Sequence, residues 1–197
     1  ELNDGSYSHA ENLHLFISQA LEKAQINKSD LSAIAVSMGP GSYTGLRIGV
    51  SAAKGLCFAL DIPLITIPTL QILARSVSVA EGPILPLLDA RRMEVYTAIY
   101  DADYKPIEEV SAQIIDADSF SDLLDKGKVY FVGDGAQKCQ SVIKHSNAVF
   151  EPGKFPSAKE MAQLSWTNFN TDKFVDVAYF EPFYLKDFIA TTPKKLL

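Results

Sequence analysis

A glycine-rich run from Gly39 to Gly49 contains the residue types best suited to bind an anion. A glycine loop that leads into a helix presents free backbone N–H groups to a phosphate. The run is not a P-loop, because Gly39 and Gly45 are one residue too far apart and Leu46-Arg47 follows in place of Lys-Ser. It is either an anion contact or a tight strand-to-helix turn. The residues that an anion would contact are Gly39, Gly41, Ser42 and Thr44.

A second glycine turn and three carboxylates form another candidate site. Gly133-Asp134-Gly135 follows a strand-like run, while Asp89 and Glu94 flank a turn. Asp89, Glu94 and Asp134 could meet in a cleft as acid, base or magnesium ligands. Carboxylates are also common at turns and strand ends simply as solvated residues. Both interpretations stay open at this point.

Activated nucleophiles and transition-metal ligands are not indicated by the sequence. His9 and His14 lie five residues apart, about 140° around a helix, whereas two metal-binding histidines on one helix face are normally four apart. His145 stands alone, and no serine or cysteine has the sequence context of an activated nucleophile. We therefore predict no catalytic residue and no bound transition metal.

The elements that position these residues follow a repeated order. A capping box at Ser8 to Glu11 and the apolar spacing after it predict the first helix. The spacing of apolar residues and the positions of glycine, proline and other turn residues predict the remaining helices and strands. The first half contains a helix at His9 to Ala24, a strand at Leu31 to Ser37, a helix at Thr44 to Leu60, a strand at Leu64 to Ile67 and a helix at Leu70 to about Val79.

The second half repeats this order behind three additional strands. Strands are predicted at Ile84 to Asp89, Glu94 to Tyr100 and Ile107 to Ile115, followed by a short helix near Ser119 to Leu124, a strand at Val129 to Val132, a helix to about His145, a strand near Val149 and a helix from Ser157 to about Phe169. Two facing βββαβα units are the plan of the actin-like (ASKHA, ribonuclease H-like) superfamily. The sequence therefore predicts a two-lobed α/β fold whose first lobe lacks its opening strands.

We expect the N-terminal lobe at 1–82 and the C-terminal lobe at 83–197, with the boundary near Gly82-Pro83. The last residues are expected to pack back on the N-terminal lobe. A segment of similar length to the three additional strands, about 30 residues, is expected to precede Glu1.

The helix after the first glycine loop is apolar nearly all round. Gly45, Gly49 and Ala53 recur every four residues and form a smooth stripe, while Ile48 and Ala52 begin a second apolar face. Such a helix must be covered on both sides. Its cover is either the first helix alone, or that helix with helices of a partner. The predicted partner interface is Leu13, Phe16, Ile17, Gly45, Ile48, Gly49, Ala52 and Ala53.

Composition limits the class of protein. The 197 residues are 47% apolar and 21% charged, which is typical of a globular protein. The 24 acidic residues outnumber the 18 basic ones and no basic run occurs, so direct tight binding of nucleic acid is not expected. The most apolar window, Gly55 to Ala74, is broken by two prolines and predicts no membrane span. Cys57 and Cys139 fit buried thiols of a cytoplasmic protein.

Taken together, these motifs resemble the bacterial TsaB (YeaZ) family. The resemblance covers nearly the whole chain, except that family members begin with a strand carrying an Asp-Thr-Ser-Thr motif. It rests on Gly39 to Gly49, Ala53 to Leu56, Pro68-Thr69-Leu70, Asp89-Ala90-Arg91, Glu94-Val95-Tyr96 and Pro182 to Leu185.

The resemblance implies a part in making threonylcarbamoyladenosine at position 37 of tRNAs that read codons starting with A. In that family the catalyst is a paralogue, TsaD, which holds a metal through a His-x-x-x-His motif. The matching positions here are Thr69 and Leu73, so the metal site is absent. We expect a non-catalytic scaffold that binds TsaD, with the TsaE ATPase as a further partner, a homodimer when TsaD is lacking, and tRNA contact only through the complex.

An enzyme of the same superfamily, either a metalloprotease-like hydrolase or an ATP-dependent phosphotransferase, is the rival hypothesis. Gly133-Asp134-Gly135 resembles an adenosine-binding turn and is a candidate for a nucleotide contact. No cofactor is expected, and ATP or ADP would bind weakly. The sequence leaves open whether homodimer or heterodimer prevails and what Asp89-Ala90-Arg91 contacts. The Lys194-Lys195 tail is expected to be mobile, because Thr191-Thr192-Pro193 has no apolar periodicity.

Overall fold

Two separate sheets organise the chain. The computed structural model describes residues 9–186, with side chains from residue 12 onward, so the expectation for the Lys194-Lys195 tail lies outside it. The first part begins with α1 His9–Ala24 and a short 3-10 helix, Lys28–Asp30, and strands and helices then alternate: β1 Ile34–Gly39, α2 Tyr43–Leu60, β2 Leu64–Pro68 and α3 Thr69–Ala74. β1 and β2 pair in parallel, from Ile34 opposite Leu64 to Gly39 opposite Pro68.

The second sheet is mixed and five-stranded. Its elements are β3 Ile84–Asp89, β4 Glu94–Tyr100, β5 Pro106–Ile114, α4 Ser121–Leu124, β6 Val129–Gly133, α5 Ala136–Val142, β7 Ala148–Pro152 and α6 Ala158–Asn170. The strand order is β5-β4-β3-β6-β7, with an antiparallel meander at β3, β4 and β5 and parallel pairing at β3, β6 and β7. The chain continues from β3 to β4 on one side of the sheet and from β6 to β7 on the other side. In α/β sheets, clefts form between two strands whose connections run to opposite sides in this way.

Helix α3 connects the cores of the two sheets. Leu70 and Leu73 pack with Ile84 and Val132 of the second sheet. Ile72 packs with Ile65 and Ile67 of the first sheet. A helix that contacts apolar groups on both sides is buried all round. Within α3 only Gln71 is partly exposed.

Two predicted elements were wrong at their ends. The helix after Pro68 stops at Ala74 rather than Val79, where the Ser76 hydroxyl donates to the Leu73 carbonyl oxygen at 2.7 Å. The strand predicted from Leu31 begins at Ile34, because the 3-10 helix Lys28–Asp30 precedes it and its Asn27 N–H donates to the Asp30 carboxylate. The remaining predicted helices and strands are confirmed to within a few residues.

Residues 173–186, here called the C-terminal strap, cross the first sheet. The Val175 N–H donates to the Leu64 carbonyl oxygen at 3.0 Å, and the Phe183 N–H donates to the Met38 carbonyl oxygen at 2.7 Å. The Lys54 ammonium donates to the carbonyl oxygens of Ala178 and Phe180 at 3.1 and 3.0 Å. The strap thereby covers a face of α2 and β2 that would otherwise be open.

Both cysteines are buried free thiols, as predicted. Burial raises the pKa of the Cys139 thiol to about 11 and also raises the pKa of Cys57. In the described part of the chain, no helix is long and apolar enough to span a membrane.

Candidate functional site

Helix α2 has one face in the protein's core and one face that the described residues leave open. Ala53 and Cys57 pack with Leu64 beneath the helix. On the other side Ile48, Ser51, Ala52, Gly55 and Leu56 line a groove, and His14 of α1 forms part of its wall. This set of five α2 residues is here called the open face of α2. It consists of small and apolar side chains with one hydroxyl, which suits the close approach of another helix.

The residues predicted for a partner interface divide between these two sides. Ile48 and Ala52 lie on the open face, and Phe16 is 38% exposed on α1. Ala53 is only 6% exposed and packs in the core, so a partner cannot reach it in the folded chain. A Cβ atom on Gly49 would lie 3.9 Å from Val36, which directs this position toward the chain's own sheet.

The other three predicted residues take intermediate positions. Leu13 and Ile17 are half-buried on α1. Gly45 lies in the first turn of α2, where its N–H donates to the hydroxyl of the N-cap residue Ser42 at 3.3 Å. The stripe of Gly45, Gly49 and Ala53 is therefore explained mainly by the chain's own packing.

An exposed phenylalanine was missed by the sequence analysis. Phe58 on α2 is 87% exposed, and Leu15 on α1 is 52% exposed. Phe58 falls on the solvent side of α2, ten residues after Ile48. The signal was present, because helical periodicity places residue 58 opposite the buried Ala53 and Cys57 group.

The first glycine loop is shaped by contacts with its own chain. Gly39 has φ of +114°, and a Cβ atom there would lie 2.4 Å from the Phe183 carbonyl oxygen. Its N–H donates to the Thr69 hydroxyl oxygen at 3.1 Å, and that hydroxyl lies 2.6 Å from the Ser37 hydroxyl. Gly41 is half-buried and Thr44 is exposed. The turn interpretation explains Gly39 fully, while the anion interpretation stays a prediction.

The second glycine turn is equally crowded. Gly133 has φ of +125°, and a Cβ atom there would lie 2.3 Å from the Leu87 carbonyl oxygen and 2.8 Å from Leu73. A Cβ atom on Gly135 would lie 3.1 Å from both Leu87 and Val95. Glycine is required here for close approach to neighbouring strands.

The three carboxylates do not gather into one site. Asp134 accepts a hydrogen bond from the Asp89 N–H at 3.0 Å, but the Glu94 carboxylate pairs with Lys186 of the strap. Lys138 pairs with Asp89 at 2.7 Å. Among residues 9–186, no three histidine, cysteine or acidic side chains are placed to hold a metal ion, so the interpretation of these carboxylates as shared magnesium ligands is wrong.

The pKa values of the two neighbouring aspartates, Asp89 and Asp134, shift in opposite directions. Burial raises the pKa of the Asp134 carboxyl, and the nearby Asp89 charge raises it further, against hydrogen bonds from the Asp89 and Gly135 N–H groups. Partial burial opposes ionisation of Asp89 too, but hydrogen bonds from Lys138 and the Arg91 N–H hold its pKa below the usual value. This arrangement ties two turns together at the end of β3 and β6.

The chain has an α/β fold with a mixed sheet, and this fold matches solved structures of the YeaZ type. A solved structure described as YeaZ from Pseudomonas aeruginosa superposes with a TM-score of 0.76 over 93% of this chain and 92% of that chain, at 24% identity. At this identity the likeness concerns the fold alone.

Sequence comparison defines the family. The family model of TsaD, described as tRNA N6-adenosine threonylcarbamoyltransferase, matches residues 4–194. The tRNA threonylcarbamoyladenosine biosynthesis protein TsaB of Escherichia coli is 30% identical over 191 residues, 92% of this chain and 82% of that protein. The protein of the same name in Bacillus subtilis is 39% identical over 127 residues, 63% of this chain and 56% of that protein. The chain belongs to the TsaB (YeaZ) family.

Proposed function

We propose that this protein is a non-catalytic scaffold for threonylcarbamoyl modification of adenosine 37 in tRNAs that read codons starting with A. In this proposal it binds and supports the catalytic paralogue TsaD through α1 and the open face of α2. The observation that carries the proposal is the open face itself, where Ile48, Ala52 and Leu56 line a groove that residues 12–186 do not fill. Because TsaB relatives act in threonylcarbamoyladenosine biosynthesis by name, a subunit of that machinery is the partner that fits.

A scaffold role is also supported by what occupies the positions that match the metal-binding histidines of TsaD. Thr69 is buried, and its hydroxyl is engaged with Ser37 and Gly39. Leu73 is fully buried in the core. These two side chains contribute to packing and turn geometry, and a leucine has no donor atom for a metal.

The proposed assembly has three further features. The chain forms a homodimer through the same helices when TsaD is lacking. The TsaE ATPase joins the complex of the chain with TsaD. Contact with tRNA requires that complex, because the chain alone carries a net charge of −6 that opposes binding to a polyanion. The two-lobed arrangement with a boundary near Gly82-Pro83 belongs to this proposal, since the two sheets lie on either side of that position.

The test is association of the chain with its TsaD, measured as the mass of the complex by light scattering. Ile48→Asp places a charge on the open face, where a docked helix would bury it without a partner. We expect this variant to melt close to the wild type and to bind TsaD about 10- to 100-fold more weakly. The matched control is Ile107→Asp, the same change at a residue 58% exposed on the edge strand β5. Equal binding of TsaD by both variants would overturn the proposed interface.

A further inference from the structure

The tip of the β3–β4 hairpin carries two consecutive arginines in an unusual conformation. Arg91 has φ of 71° and Arg92 has φ of 49°, so both lie in the left-handed region. Glycine and asparagine adopt this region most readily, whereas long side chains seldom do. The geometry of the turn therefore does not favour arginine at either position, and their side chains require another explanation.

A largely buried lysine holds the backbone of this tip. Lys138 on α5, whose side chain is 17% exposed, donates to the Arg92 carbonyl oxygen at 3.0 Å and also to the Glu94 carbonyl oxygen. The same ammonium group pairs with the Asp89 carboxylate at 2.7 Å, and that carboxylate accepts from the Arg91 N–H at 2.6 Å. The backbone beneath both guanidinium groups is therefore fixed from two sides.

The acidic residues nearest the tip are already engaged. Asp89 pairs with Lys138, Glu94 pairs with Lys186, and Asp134 accepts from the Asp89 N–H. Both arginines are exposed, and within the part of the chain that the structure describes neither makes an ion pair. Two unneutralised guanidinium groups on a fixed backbone present paired N–H donors, which match the oxygens of a phosphate.

We propose that Arg91 and Arg92 contact phosphate groups of the RNA backbone when the chain is part of the complex with TsaD. The inference rests on the proposed function, which brings a tRNA to that complex. The isolated chain has a net charge of −6, so two arginines alone do not retain an RNA. Within the complex the hairpin tip adds a local contact to an RNA that other subunits hold.

The test compares tRNA binding by complexes that contain the wild-type chain or the double variant Arg91→Asn/Arg92→Gly. This variant removes both charges and supplies residues that suit the left-handed region, so the chain is expected to melt at the same temperature or higher. Fluorescence anisotropy at several salt concentrations gives the affinity. We expect about 10-fold weaker binding at low salt and a salt dependence reduced by about one to two phosphate contacts.

The matched control is Lys126→Ala/Lys128→Ala, which removes two exposed charges at the opposite end of β6. The control complex is expected to bind tRNA as the wild type does. An equal loss in both double variants would indicate general electrostatic attraction and overturn the inference. Loss of TsaD binding by Arg91→Asn/Arg92→Gly would make the tip a contact with an acidic protein surface and overturn it too.

A second arm separates RNA phosphates from those of a free nucleotide. ATP is titrated into the isolated chain and into the Arg91→Asn/Arg92→Gly variant, and no binding that depends on the arginines is expected. Arginine-dependent ATP binding would assign the tip to a nucleotide and overturn the inference. If the wild-type chain binds TsaD, but complexes with the wild type and with Arg91→Asn/Arg92→Gly bind tRNA equally well, this inference alone is overturned. Failure of the wild-type chain to bind TsaD overturns the proposed function and the inference together.

Discussion

At the residue scale, the two glycine turns are explained by contacts that no other residue could make. Gly133 is the clearest case, because its φ of +125° is unfavourable for any side chain and a Cβ atom would lie 2.3 Å from a backbone oxygen. We expect Gly133→Ala to reduce the free energy of unfolding by about 2 kcal/mol or more, from backbone strain of about 1–3 kcal/mol together with the clash. Denaturant unfolding measures the loss.

The control for this prediction is the same change in a helix. Gly55 has no atom within 4 Å of its missing Cβ and lies in the interior of α2. Gly55→Ala is therefore expected to raise the free energy of unfolding by about 0.5–1 kcal/mol. If both variants destabilise the chain equally, the steric explanation of Gly133 is wrong.

The lowered pKa of Asp89 gives a pH-dependent prediction. A carboxyl whose pKa is lower in the folded chain than the unfolded value of about 3.9 stabilises the fold above that value, and this contribution is lost as the pH falls through the folded pKa. Lys138→Met removes the partner that lowers the pKa. We expect the stability difference between wild type and Lys138→Met to be larger at pH 7 than at pH 3.

Denaturant unfolding at both pH values measures that difference. Lys128→Met serves as control, since Lys128 is exposed and has no ion pair within the described residues. A difference that is the same at pH 3 and pH 7 would show that Lys138 acts through the Arg92 and Glu94 carbonyl oxygens alone.

At the element scale, α2 contains two apolar faces that sequence periodicity could not assign. The stripe of glycines and the face beginning at Ile48 were both candidates for a partner, and only the position of β1 decides between them. Since a Cβ atom on Gly49 would point at Val36, Gly49→Leu is expected to overpack the contact with the sheet and destabilise the chain by about 1–3 kcal/mol. Thermal melting measures the loss, and TsaD binding by the folded fraction should be unchanged. Normal stability with lost TsaD binding would place Gly49 in the interface.

The sequence predicts the C-terminal strap only as last residues that pack back on the N-terminal lobe, because the strap has little regular structure and its contacts are distant in sequence. Lys54 donates to two strap carbonyl oxygens, so Lys54→Met should remove both bonds while keeping the aliphatic stem of the side chain. We expect faster amide hydrogen exchange at Phe180 and Phe183 in this variant. Exchange in β6 is the internal reference, and unchanged strap protection would show that apolar packing of Val175 and Val177 holds the strap by itself.

At the scale of the whole molecule, the order of elements was predictable and the surroundings of single residues were not. Apolar runs and Gly-Pro punctuation located β3 and β4 to the residue, because a buried strand leaves a strong local signal. The pairing of Asp89 with Lys138 and of Glu94 with Lys186 joins residues 49 and 92 positions apart, and no local pattern encodes such contacts. For the same reason, the sequence alone could not decide whether the three carboxylates meet.

The last prediction concerns nucleotide binding by the whole chain. Phe183 of the strap lies against Gly39, and Leu87 lies against Gly133 and Gly135, so the space beside these three glycines is occupied by protein atoms, and we expect neither turn to bind a phosphate tightly. A ligand with a Kd of 10 μM would stabilise the fold by about 2.7 kcal/mol at 1 mM, since it is then present at about 100 times its Kd. For a chain of this size that corresponds to about 5–11 °C in Tm.

We expect 1 mM ATP with Mg²⁺ to shift the Tm of the isolated chain by less than about 1 °C and ATP hydrolysis to stay at the level of buffer. Lys54→Met, which loosens the strap over the first turn, is the matched variant, and it should also show no shift because the second turn is closed by β3. A shift of several degrees in the wild type would contradict the prediction. It would also favour a phosphotransferase over a scaffold, since a phosphotransferase must bind ATP.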